Sequence, residues 1–179
     1  DFLNEYIVVL QHPVTTEYGN GLRQIKATIN AIKYLNTQVV WLWPNVDAGS
    51  DDISKGLRIF RETNQTKNIK FFKNFDPEDY LKLINNSSCI VGNSSSAIRE
   101  GSYLGIPAVS IGTRQQNRER GKNVVTVNYD SKKIKAAIIS RIKMRKFKSE
   151  KIYGKGDAGK KISKILSKLN IQIQKKLNY

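Results

Sequence analysis

The chain has 179 residues, 39% hydrophobic and 26% charged, with four prolines and one cysteine. That composition suits one globular domain with a real core, excludes an internal disulfide, and leaves no apolar run near the roughly 20 residues of a membrane span. The formal net charge is +16 and uneven: residues 131–179 hold 16 Lys and Arg against two acids, Glu150 and Asp157.

The opening Asp1-Phe2-Leu3-Asn4-Glu5 has no initiator Met, no basic start and no secretory apolar core. It reads as the edge of an excised domain, and the lone cysteine fits a reducing, cytoplasmic compartment. Tyr6–Leu10 is a continuous apolar run, as expected of a strand buried on both faces. Residues 21–35 carry Leu22, Ile25, Ile29, Ile32 and Leu35 at helical spacing. Residues 39–43 are a second buried strand, stopped by Pro44. Residues 51–61 form a helix with Ile53, Leu57 and Phe60 inward and Ser50 or Asp51 as its cap. Ile69–Phe72 is a third strand, and Asp76-Pro77-Glu78 opens a helix with a cap residue, a proline and an acid in order. Residues 89–91 make a short buried strand, Gly92-Asn93 a turn, and residues 96–104 a helix behind three serines. Ala108–Ile111 and Val124–Val127 complete the strands.

Strands alternating with helices predict βαβ units and a Rossmann-like α/β fold, a doubly wound parallel sheet. No repeat or linker divides the chain, so residues 1–179 are one domain. Its sheet core covers about residues 5–130 and its basic C-terminal helices about residues 131–179. Ile162, Ile165, Leu166, Leu169 and Ile173 sit at helical spacing in that tail, with almost no aromatics for base stacking. A solvated basic helix face is preferred there to a nucleic-acid contact.

Doubly wound sheets bind ligands outside the carboxyl ends of their strands. The segment Cys89 through Gly101 joins a strand, a small-residue turn and a helix start, where free N–H groups and the helix dipole attract anions. The same serines read equally as an N-cap without ligand. Glu100 lies about one turn into the predicted helix, too deep for a cap, and a carboxylate near a phosphate site is best explained by a ribose diol. His12, the only histidine, follows the first strand and is either structural or catalytic. The loop from residue 114 to 120 carries three arginines, suited to a diphosphate or simply exposed. Zinc-ligand spacing, a P-loop and a nucleophile elbow are all missing, so no metal ligand is assigned.

Several segments together resemble the UDP-N-acetylglucosamine 2-epimerases, closest to the hydrolysing kind that starts sialic-acid synthesis. They are His12-Pro13-Val14-Thr15-Thr16, Pro44-Asn45-Val46-Asp47-Ala48-Gly49-Ser50, Gly92-Asn93-Ser94-Ser95 with Arg99-Glu100, Gly112-Thr113-Arg114-Gln115 with Arg118-Glu119, and Lys151-Ile152-Tyr153-Gly154. The resemblance covers most of the chain and implies the C-terminal half of a GT-B-type enzyme with two Rossmann-like domains, its N-terminal domain being absent here. It implies that Ser94 and Ser95 hold the diphosphate and that Glu100 binds the ribose hydroxyls. It further implies that Arg114 and Asn45 contact the nucleotide and that Lys73 offers backbone to the uracil. His12 matches the family histidine beside diphosphate and sugar, counted as catalytic. The implied reaction eliminates UDP from UDP-N-acetylglucosamine and hydrates the glycal to N-acetylmannosamine, without a cofactor. The carboxylates for proton transfer belong to the N-terminal domain, so the fragment alone is expected to be inactive. Ser96 stands where relatives carry a different residue. The implied partners are a UDP-sugar, the N-terminal domain and a second copy in a homodimer, with no membrane and no nucleic acid. A related 2-epimerase acting on another nucleotide-activated amino sugar and a GT-B glycosyltransferase domain are the alternatives.

Overall fold

Apolar runs too long for a one-sided strand become the centre of a sheet covered on both faces. The computed structural model describes residues 5–63, 67–170 and 174. Six strands, β1 (Tyr6–Leu10), β2 (Gln38–Leu42), β3 (Ile69–Phe72), β4 (Cys89–Gly92), β5 (Ala108–Ile111) and β6 (Val124–Val127), pair in the order β3-β2-β1-β4-β5-β6. Every pairing is parallel. This is the Rossmann-like order, and it reverses direction between β1 and β4.

Pleating sends alternate residues to opposite layers. Ile7, Val9, Val39, Trp41, Cys89 and Val91 face one core, shared with α1 (Gly21–Ile32), α2 (Ser50–Thr63) and α5 (Ser131–Ile142). Tyr6, Val8, Leu10, Val40, Leu42 and Ile90 face the other, covered by α3 (Pro77–Asn85) and α4 (Glu100–Leu104). Cys89 is wholly buried, and burial pushes its thiol up to about 12.

Three expectations change. The helix of residues 21–35 ends at Ile32, though Leu35 still packs in the core. Ser50 and Asp51, alternatives for the cap, both lie inside α2, and Asp76 precedes α3 without a side-chain capping bond. The sheet ends at Val127, and the helix after it packs on the sheet: Ile134 and Ile138 of α5 are fully buried in the core.

The third change matters most. Residues 96–104 are not one helix but a 3-10 turn, Ser95–Ala97, followed by the separate short α4. Arg99 interrupts them at φ −96°, ψ −80°. The Ala97 carbonyl, which a continuous helix would bond to residue 101, instead accepts from Asn123 Nδ2 at 3.1 Å. Glu100 therefore opens α4 instead of lying a turn inside a helix.

Beyond α5, the Phe147 N–H donates to the Gly105 carbonyl at 2.7 Å and the Glu150 N–H to the Ser102 carbonyl at 2.9 Å, tying the tail to α4. The last helix among the described residues, α6 (Ala158–Leu166), buries no residue; Ile162, Ile165 and Leu166 are more than half exposed, as is Leu169 just after it. Ile173 lies outside the described residues.

Gly92 ends β4 at φ +127°, where an added Cβ would run into the Leu10 carbonyl. Both the left-handed backbone and the β1 contact reject a side chain. Gly92→Ala is expected to destabilise the fold by about 3 kcal/mol or more, read from chemical denaturation midpoints.

Candidate functional site

The switch point sets β1 beside β4 and lets their following loops part, which opens a crevice at their carboxyl ends. One side chain spans that opening. Asn93, fully buried, accepts from the His12 backbone N–H at 2.7 Å and donates to the His12 carbonyl at 2.8 Å. Its own N–H donates to the Leu10 carbonyl at 3.0 Å. The Asn93 carbonyl accepts from Gln115 Nε2 at 2.8 Å and from Arg114 Nη1 at 3.4 Å. The loop after β5 is thereby joined to the ends of β1 and β4.

The neighbouring cleft has a volume of about 440 Å³. Four of the sequence-assigned residues line it: His12 after β1, Asn45 after β2, Lys73 after β3 and Ser94 after β4. Ser94 caps the 3-10 turn, its hydroxyl accepting from the Ser96 N–H at 3.3 Å. Ser95 is half-buried at the start of that turn, and its carbonyl accepts from the N–H groups of Ile98 and Arg99.

Arg114 stands at the margin, in a 3.6 Å ion pair with Asp47. Of the other loop arginines, Arg118 is exposed, while Arg120 bonds to the Gln115 carbonyl, the Arg118 carbonyl and the Thr126 hydroxyl. Arg120 thus braces its own loop.

Glu100 is not part of the cleft that His12 lines. It faces an adjoining cavity of about 300 Å³ with Arg99, Tyr103, Lys151 and Tyr153. Its Oε2 is buried without a hydrogen-bond partner. Tyr80 lines the first cleft; burial raises the pKa of its hydroxyl, the nearby Ser96 side chain opposes the rise and Glu100 adds to it. The Lys151-Ile152-Tyr153-Gly154 segment is anchored by Tyr153, whose hydroxyl donates to the Glu119 carbonyl at 2.6 Å and whose ring lies under Arg99.

Sequence reasoning took Asn93 only as a turn residue within a motif, and assigned no role to Tyr80, Phe75 and Trp43. The aromatic three line the cleft near Lys73. Their signal, aromatic residues at the ends of β2 and β3 and on the inner face of α3, reads as ordinary core. Among the described residues no three His, Cys, Asp or Glu side chains gather as a metal centre, and no helix is long and apolar enough to cross a membrane.

His12 is only 5% exposed, and its Nδ1 accepts from the Asn45 backbone N–H at 3.1 Å. Burial lowers its pKa from 6.5 to about 4; Arg114 adds to the fall and Asp47 opposes it. The unfolded chain therefore binds the proton first on acidification. The native state suffers no penalty above pH 6.5 and an increasing one down to about pH 4. That loss is expected to reach about 3 kcal/mol. Denaturation curves of the wild type and His12→Asn across this range check it: the wild type should lose stability more steeply as pH falls.

A family model described as UDP-N-acetylglucosamine 2-epimerase matches residues 2–167. The UDP-N-acetylglucosamine 2-epimerase of Neisseria meningitidis serogroup B is 30% identical over 152 residues, covering 85% of this chain and 39% of that protein. The UDP-N,N'-diacetylbacillosamine 2-epimerase (hydrolyzing) of Legionella pneumophila is 28% identical over 167 residues, covering 93% and 44%. The crystal structure of Methanocaldococcus jannaschii UDP-GlcNAc 2-epimerase in complex with UDP-GlcNAc and UDP has the same fold, with a TM-score of 0.70, 16% identity, and coverage of 91% of this chain and 45% of that one. The chain thus spans about two fifths of the length of the curated relatives it matches. With the family model covering nearly all of it, the chain belongs to the UDP-N-acetylglucosamine 2-epimerase family.

Proposed function

We propose that this chain is the UDP-binding domain of a hydrolysing UDP-N-acetylglucosamine 2-epimerase. The supporting observation is the convergence of His12, Asn45, Lys73 and Ser94, from the ends of four consecutive strands, on one cleft at the switch point. In this reading the diphosphate lies against Ser94 and Ser95, where the 3-10 turn offers N–H groups and hydroxyls. Arg114 exchanges Asp47 for phosphate oxygen. Glu100 takes a ribose hydroxyl on its unpaired Oε2. Asn45 and the backbone at Lys73 hold the base, and His12 faces diphosphate and sugar.

The reaction breaks the C1–O bond to UDP as a base removes the C2 proton, leaving a C1–C2 double bond. Water then adds hydroxyl to C1 and a proton to C2 on the opposite face, giving N-acetylmannosamine and UDP. This domain stabilises the leaving diphosphate, while an N-terminal domain of the longer protein supplies the acid–base carboxylates. The name of the Legionella relative supports the hydrolysing outcome and favours a second substrate reading, a diacetylated bacillosamine nucleotide. We place the longer enzyme in the cytoplasm as a cofactor-independent homodimer.

Calorimetry with UDP, UMP and uridine tests the ligand assignment: weak UDP binding, weaker UMP binding and no uridine binding are expected. Equal binding of uridine and UDP refutes the diphosphate anchor. Glu100→Gln should weaken UDP by about 1–3 kcal/mol, through loss of a charge-assisted ribose contact. Tighter binding would show that the carboxylate only repels phosphate. The chain alone should release no UDP from UDP-N-acetylglucosamine; turnover abolished by a His12 substitution would mean that the proton-transferring groups lie in this domain.

A further inference from the structure

His12 is the only histidine of the chain, and its two ring nitrogens have different surroundings. Nδ1 accepts the Asn45 backbone N–H, so it carries its lone pair toward that donor. A neutral imidazole has one proton, and it must then sit on Nε2. Asn93 fixes the His12 main chain by bonding to its N–H and its carbonyl, which holds the residue beside the Asn45 N–H. The ring lines the cleft with Ser94, Lys73, Tyr80 and Asp76, while Arg114 and Asp47 act on it from the cleft margin.

We propose that the Asn45 backbone N–H locks His12 as its Nε2–H tautomer, so that the histidine meets the substrate diphosphate as a neutral hydrogen-bond donor. Asn45 is then a positioning residue acting through its main chain. The inference rests on the cleft being the UDP site. Its chemical content is a choice between roles. An imidazolium needs a proton on Nδ1, which would face the Asn45 N–H donor to donor and leave both unpaired in a buried place. A general base needs a free lone pair on the cleft-facing nitrogen, which the tautomer removes. A neutral donor needs neither change. It strengthens as negative charge grows on the departing oxygen, and it transfers no proton. The low pKa of the ring agrees with this state, since burial and Arg114 both oppose its charging. The C2 proton must accordingly be taken by another group.

The single histidine makes the test direct. Long-range proton–nitrogen correlation spectra of the nitrogen-labelled chain separate a protonated from a bare ring nitrogen. They are recorded from about pH 5 to 8, with and without saturating UDP, on the wild type and Asn45→Ala. The expected result is a bare Nδ1 and a protonated Nε2 throughout, with UDP shifting the Nε2 signal and its proton. Asn45→Ala should keep the pattern, because the donor is main chain. An Nδ1–H tautomer in the free protein overturns the proposal, as does an imidazolium in the UDP complex at neutral pH; that last outcome leaves the UDP site itself standing. A ring that does not respond to UDP overturns the proposal as well. Calorimetry on the same sample then says whether UDP is bound elsewhere or the UDP reading has failed too.

Discussion

The Asn93 side chain is the constraint on which the site depends. At a switch point two adjacent strands end side by side and their chains separate, so nothing in the sheet holds the two following loops in register. Asn93 does so with both halves of its amide, donating to and accepting from the same residue of the β1 loop. An aspartate of the same shape would lack the donor, and a leucine would leave a buried N–H and carbonyl of His12 unpaired. Because Gln115 and Arg114 bond to the Asn93 carbonyl, the third loop inherits the same anchor. His12, Ser94 and Arg114 keep their spacing through this one residue.

The charge of the domain works differently in its two parts. Most of the +16 sits in the tail, where lysines face water and their field is screened within about 10 Å at ordinary salt. At the cleft the cations are few and loosely committed. The Arg114–Asp47 pair is 3.6 Å long and partly exposed, so it adds little to stability. In the proposed UDP-binding reading, that weakness is what lets Arg114 exchange Asp47 for phosphate. Lys73 is likewise exposed at the rim. Of the buried polar atoms left without a partner among the described residues, Glu100 Oε2 belongs to a carboxylate whose field is felt at Tyr80, on the wall of the crevice.

The strands were legible because a parallel strand buried on both faces has no polar residues to confuse its pattern, as in Tyr6–Leu10. The cleft was legible as far as its residues follow strand ends: His12, Asn45, Lys73 and Ser94. What escaped depends on contacts between distant segments. Asn93 reads locally as a turn residue, and its partner lies 81 positions away. The predicted helix of residues 96–104 has sound helical signals, but Asn123 captures the Ala97 carbonyl from a loop that no local pattern reveals. The place of α5 in the core was hidden by its lysines, since only Ile134 and Ile138 are buried.

Cys89 sits in the middle layer of this arrangement, wholly enclosed at the start of β4. A thiol pushed up to about 12 has almost no thiolate at neutral pH, and no reagent reaches it while the sheet is closed. Because it is the only cysteine, modification of the chain by a thiol reagent has a single site and a single gate. The labelling rate is then the product of intrinsic thiol reactivity and the fraction of time that the centre of the sheet stands open. The protein carries its own clock for opening at the strand on which its binding crevice is built.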